Sequence, residues 1–130
     1  MGVTTAVFAI PTDDPPYAAW ARAYAQQQIS FYLSTPAYRI VAEMHGWQAT
    51  AHELSLMARS NQWAAMPSLI TDDMLDIIAV SGAWAGTAHP HSPEIWFPLL
   101  DRVSYYLPFI PTENQAGWQA TIKSFSQIVL

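Results

Sequence analysis

No cysteine occurs in the 130 residues, so neither a disulfide framework nor a thiolate metal site can be built. Charge is scarce as well: 12% of the residues are Asp, Glu, Lys or Arg, against about 25% in an average soluble domain. The five basic residues, Arg22, Arg39, Arg59, Arg102 and Lys123, are scattered, ten residues are acidic, and the net charge is −5. A protein that tracks a phosphate backbone needs a basic patch, so no nucleic-acid partner is expected. The five glycines are isolated. They form neither a phosphate-cradling G-x-G-x-x-G loop nor a G-x-S-x-G nucleophile elbow. No apolar run reaches the ~18 residues of a bilayer span, so no membrane partner is expected. The opening MGVTTAVFAIPTDD has no basic leader region, which argues against a secretory signal and makes the cytoplasm the default compartment. Internal repeats and low-complexity tracts are also missing.

What the chain does have is apolar surface. Hydrophobic residues make up 52% and aromatic ones 13%, and so little charge leaves much of that surface uncovered, which fits a chain that associates with a partner or a second copy of itself. The length suits one domain with one core. It is well short of the ~250 residues of a complete (β/α)8 barrel.

Taken in order, Val3 to Ile10 is rich in β-branched and aromatic residues and is ended by Pro11, which predicts a buried strand. Asp13-Asp14-Pro15 supplies an N-cap and a first-turn proline for a helix over about Pro15 to Leu33. Tyr17, Trp20, Tyr24 and Phe31 recur along it at helical spacing and are expected to be its core face. Thr35-Pro36 predicts the N-cap and first position of a second helix, to His45, closed by Gly46 in the left-handed conformation. A third helix follows over Trp47 to Ser60, with Trp47, Ala51, Leu54 and Ala58 on one face and Asn61 as its stop. Trp63 to Ile70, interrupted by Pro67, predicts a short helical turn and a loop. Asp72 is positioned to cap an element over Asp73 to Val80, whose end, Ile77 to Val80, suits helix or strand equally. Prolines 90, 93 and 98 forbid a continuous helix over Ala83 to Leu100. Val103 to Leu107 is a second strand by composition. Thr112 and Gln115 form a capping box for a last helix that places Trp118, Ile122, Phe125 and Val129 in one stripe. The fold class is therefore α/β and mostly helical.

Particular words in the chain carry more than periodicity. STPAYR followed by HGW, WAAMPSLITDDMLD farther on, and DRVSYYLPF near the end resemble the C-terminal part of the luciferase-like flavin and deazaflavin oxidoreductases, in the subgroup that uses coenzyme F-420. The likeness runs from about Val3 to Gly82 and resumes at Asp101. Between them the wording departs, since Gly82 is followed by Ala83-Trp84 where the family would have Gly-Thr-Pro-Glu-Glu and an amphipathic helix. The resemblance implies an incomplete (β/α)8 barrel. It also implies oxidoreduction by hydride transfer between F-420, or a flavin, and a small organic substrate, with the cofactor held mainly by earlier parts of the barrel. Little or no catalysis is expected from this chain alone. A non-catalytic helical module that dimerises is the reading from a different class.

Candidate site residues are few. His89-x-His91 with Glu94 lies in the proline-rich stretch and lacks the spacing of a metal site, so no metal is expected. Tyr38, Arg39 and His45 are the best candidates: Arg39 for clamping a carboxylate or phosphate, Tyr38 for stacking or hydrogen bonding, and His45 for orienting or protonating a substrate or cofactor. The plainer alternative pairs Arg39 with Glu43 at i, i+4 and makes His45 a cap at the negative end of the helix dipole.

Overall fold

The structure is a computed structural model that describes residues 4–82 and 102–105, together with 116, 117, 119, 120 and 123. It divides into two compact units, one from residues 1–22 and 76–130, the other from Ala23–Leu75. Helix predominates over strand among the described residues.

The first unit holds a three-stranded sheet of β1 (Thr4–Pro11), β2 (Ala79–Gly82) and β3 (Arg102–Tyr105), in the order β2-β1-β3. Both ladders are parallel. The second half of β1 pairs with β2, Phe8 opposite Ala79 through Pro11 opposite Gly82. Its first half pairs with β3, Thr4 opposite Arg102 through Val7 opposite Tyr105. Parallel neighbours need a long crossover, and here all the helices of the second unit lie between β1 and β2 in the chain. Strands that follow one another round a (β/α)8 barrel stand in chain order, whereas here β1 stands between its two successors. Among the described residues of this unit, Phe8, Ile10, Pro11, Tyr17, Ala21 and Ala79 are buried.

Helix α1 (Pro15–Leu33) begins where Asp14 accepts the Ala18 N–H at 2.8 Å, with Pro15 and Pro16 filling positions whose N–H groups have no helical partner. Its buried row differs from the expected aromatic stripe. Tyr17, Ala21, Ala25, Ile29 and Leu33 are buried at a strict i, i+4 spacing, while Trp20 and Phe31 are 40% and 47% exposed and Tyr24 is half-buried. The buried row carries two small side chains, Ala21 and Ala25, each with no exposed surface, and the large rings of Trp20 and Phe31 lie off it.

In the second unit Thr35 does not cap as expected. Its hydroxyl donates to the Tyr32 carbonyl at 2.7 Å and so closes the end of α1. Pro36–Tyr38 then form one 3-10 turn before α2 (Arg39–His45). Gly46 takes φ 74°, its N–H reaches the Glu43 carbonyl, and the Trp47 N–H reaches that of Ala42 at 2.8 Å. This paired closure is the Schellman arrangement. Helix α3 (Gln48–Arg59) ends the same way, with Asn61 at φ 57°, its N–H on Ala58 and the Gln62 N–H on Met57. A Cβ added at Gly46 meets no atom within 4 Å. Gly46→Ala is therefore expected to cost only the backbone penalty, about 1 kcal/mol, read as a lowered urea midpoint with an unchanged slope.

Met66–Leu69 form a second 3-10 turn, and α4 (Asp72–Ile78) follows. Its cap is Thr71 rather than Asp72: the Thr71 hydroxyl accepts the Met74 N–H at 3.3 Å. Asp72 and Asp73 occupy the first turn instead, where the helix dipole favours acidic groups. The ambiguous run divides, Ile77 and Ile78 ending α4 and Ala79 opening β2. Ala25, Ile29, Leu33, Ala42, Leu54, Met66, Ile70, Met74 and Leu75 are the buried apolar residues of this unit. Gln26 ties α1 to the end of the second 3-10 turn by donating to the Ile70 carbonyl at 3.2 Å. Residues 116, 117, 119, 120 and 123 are helical. The proline-rich stretch, the His89, His91 and Glu94 group, the capping box and the last apolar stripe lie outside the described residues, as does the end of the strand expected to reach Leu107.

Candidate functional site

The left-handed turn at Gly46 ends α2 and lets α3 begin two residues later, so the two helices pack against each other within the second unit. Between them, and lined also by Leu33 to Pro36, lies a groove of about 470 Å3. This is within the ~300–1,000 Å3 range of small-molecule sites. From α2 it is lined by Arg39, Ala42 and Glu43; from α3, by Gln48, His52, Ser55 and Arg59, with Ala51 and Leu56 between them. The α3 residues Gln48, His52, Ser55 and Arg59 are spaced i, i+4, i+7 and i+11, one stripe of a helix.

Two guanidinium groups, one carboxylate and one imidazole therefore share a groove with an aliphatic lining. Arg39, Glu43, His52 and Arg59 are all exposed. Neither guanidinium is held in an ion pair among the described residues, including the i, i+4 pairing of Arg39 with Glu43 that the spacing predicts. An exposed helical pair of that kind contributes only a few tenths of a kcal/mol, too little to fix two long side chains together. Both arginines are thus available to an anion, which a guanidinium fork binds through charge-assisted hydrogen bonds.

Of the three residues singled out from sequence, only Arg39 lines this groove. Tyr38 packs on Tyr32, ring centroids 4.9 Å apart and planes at 38°. His45 stacks on Trp47 at 4.5 Å and 22°, the two rings meeting across the Gly46 turn. His52 and Arg59 went unselected, although their seven-residue separation on a predicted helix was legible as a polar stripe. No group of three or more His, Asp or Glu able to hold a metal ion occurs among the described residues. No helix among them is long and apolar enough to cross a membrane.

A second surface of the same unit is aromatic. Trp63, Phe31, Tyr32 and Tyr38 form a chain of ring contacts, with centroids 6.2, 5.7 and 4.9 Å apart in turn. Trp63 and Phe31 flank a smaller cleft of about 300 Å3 beside Met66 and Gln27.

The matching relatives are uncharacterized mycobacterial proteins. One from Mycobacterium bovis and two from strains of Mycobacterium tuberculosis are each 47% identical to this chain over 70 residues. Those residues are 54% of this chain and 20% of each relative, so the match spans a fifth of the relatives' length. No family model matches the chain, and no solved structure does.

The resemblance implies a deazaflavin or flavin, and the groove does not fit the fused three-ring head of either. Its lining contains no Phe, Tyr or Trp face on which such a ring would stack, and its one ring is the His52 imidazole. Tyr32, Tyr38 and Trp47 lie outside the lining and are engaged with one another or with His45. What the groove suits is an acidic group joined to an apolar body.

Proposed function

We propose that this chain is the substrate-side, C-terminal portion of a luciferase-like oxidoreductase, in which hydride passes between coenzyme F-420, or a flavin, and a small organic substrate. The observation that supports this reading is that Ser34, Thr35, Pro36 and Arg39 of the STPAYR word line the groove, with Ala42 and Glu43 of α2 beside them. Parallel strands joined through helices are the connectivity such an enzyme uses. The mycobacterial relatives add a matter of scale. If 70 residues are 20% of a relative, that protein is about 350 residues long, which is within the range of complete barrels with insertions. In this class of chemistry the cofactor performs the redox step, and the protein positions the partners and excludes water. The ring system of the cofactor is assigned here to residues other than the groove, and this chain alone is assigned no turnover. The strand order β2-β1-β3 is consistent with that second assignment, because it does not reproduce the circuit of a barrel.

The test is a titration of one of the mycobacterial relatives with F-420 and with FMN, following cofactor fluorescence. Saturable binding of one of them is the expected result. No response to either would overturn the oxidoreductase reading.

A second reading, a non-catalytic module that self-associates, is favoured by the exposed apolar side chains of the second unit. Ile40 and Met44, one turn apart on α2, are 61% and 74% exposed, and Phe31 and Trp63 are each 47% exposed. Size-exclusion chromatography separates the two. A dimer at micromolar concentration that is indifferent to cofactor is the module's signature, and a monomer removes it.

A further inference from the structure

We infer that the groove between α2 and α3 is a binding site for a small organic monocarboxylate, with its head on Arg39 and Arg59 and its apolar body on Ala51 and Leu56. Charge is the first argument. The whole chain has five basic residues against ten acidic ones, yet two of the five line this one groove and neither is neutralised by a carboxylate among the described residues. Glu43, on the same wall as Arg39, sets the valence. Two guanidinium groups and one carboxylate leave a single positive charge, which one anionic group balances and a second would over-fill, at a cost in repulsion from Glu43.

The neutral polar groups refine the choice. Gln48 and Ser55 are on the α3 wall, and both can donate to a carboxylate oxygen or to a hydroxyl beside it. The aliphatic lining that is still open to water explains why the body is apolar: Leu56 is 48% exposed and Ala51 is half-buried, and a few carbons would cover them where an inorganic anion would not. No Phe, Tyr or Trp ring lines the groove, so a flat polycyclic ligand has no large aromatic face to stack on there.

This inference does not depend on the redox reading. Binding of a carboxylate by this chain leaves the cofactor question to the titration of the relatives, and failure of either experiment does not decide the other.

The test uses the full chain, 15N-labelled, titrated with 4-phenylbutyrate and separately with 4-phenylbutanol, which has the same body without the charge. The acid is expected to saturate, and the alcohol to bind at least about tenfold more weakly, the loss of one charge-assisted contact. R39Q and R59Q should each weaken the acid by about tenfold and leave the alcohol unchanged, while R22Q, in the other unit, leaves both unchanged. Arg39 and Arg59 are exposed, so the variants should keep the wild-type amide spectrum. The comparison of acid with alcohol on the unmodified chain stands even where a variant does not fold. Equal binding of acid and alcohol overturns the assignment, as does no saturable binding of the acid, or folded R39Q and R59Q proteins that bind it as the wild type does.

Discussion

Replacing Leu54 with alanine is expected to destabilise the chain by about 3 kcal/mol, within the ~2–5 kcal/mol range for truncating a buried leucine. Leu54 is the one residue of α3 that is buried, with no exposed surface at all. Its loss removes the transfer free energy of three carbons and leaves a cavity beneath α3. Leu56, two residues on, is 48% exposed, and Leu56→Ala should cost well under half as much. Urea denaturation followed by helical circular dichroism checks both. A Leu54→Ala protein within about 1 kcal/mol of wild type would mean that α3 is not anchored at this point.

The second large effect concerns α1. Ala25→Leu is expected to cost about 1–3 kcal/mol by overpacking, since Ala25 has no exposed surface and stands in the buried row with Ala21, Ile29 and Leu33. Phe31→Ala, which removes a much larger side chain, should cost only about 1 kcal/mol, because the ring is 47% exposed and its neighbours Trp63 and Tyr32 meet it at the surface. The inequality is the useful quantity. If the aromatic stripe were the core of this helix, the order would reverse, with Phe31→Ala costing about 3–5 kcal/mol. Thermal unfolding of the two variants in one buffer is sufficient.

That reversal marks how far the sequence carries. The limits of α1 were legible because Asp14, Pro15 and Pro16 announce its start and no breaker follows before Ser34. Its buried face was not. Hydrophobic size points to Tyr17, Trp20, Tyr24 and Phe31, of which Tyr17 is buried, whereas the rest of the buried row is Ala21, Ala25, Ile29 and Leu33. Gly46 and Asn61 both adopt the left-handed conformation expected of them, since very few residue types tolerate that position at a helix end. Threonine capping is harder to read, because a hydroxyl both donates and accepts. Thr35 donates backwards to Tyr32 and Thr71 accepts forwards from Met74, and spacing alone does not distinguish the two.

The groove was partly legible. Arg39 was singled out for the chemistry a guanidinium supports, and it lines the groove. Its neighbours along the chain, Tyr38 and His45, are turned to other uses by the rings beside them, Tyr32 and Trp47. The partners that matter to Arg39 come from α3, which the Gly46 turn folds back alongside. Residues such as His52 and Arg59 can be found from sequence only by asking which polar side chains share a helix face, the question usually put to apolar ones.

The measurement that bears most directly on this division of labour is a titration of the purified 130-residue chain with coenzyme F-420, following cofactor fluorescence. A groove with no Phe, Tyr or Trp face should give no saturable response, with the cofactor's signal unchanged by the protein. Saturable binding at one cofactor per chain would contradict the assignment of the ring site to residues outside the groove, and would make this chain a cofactor-binding protein in its own right.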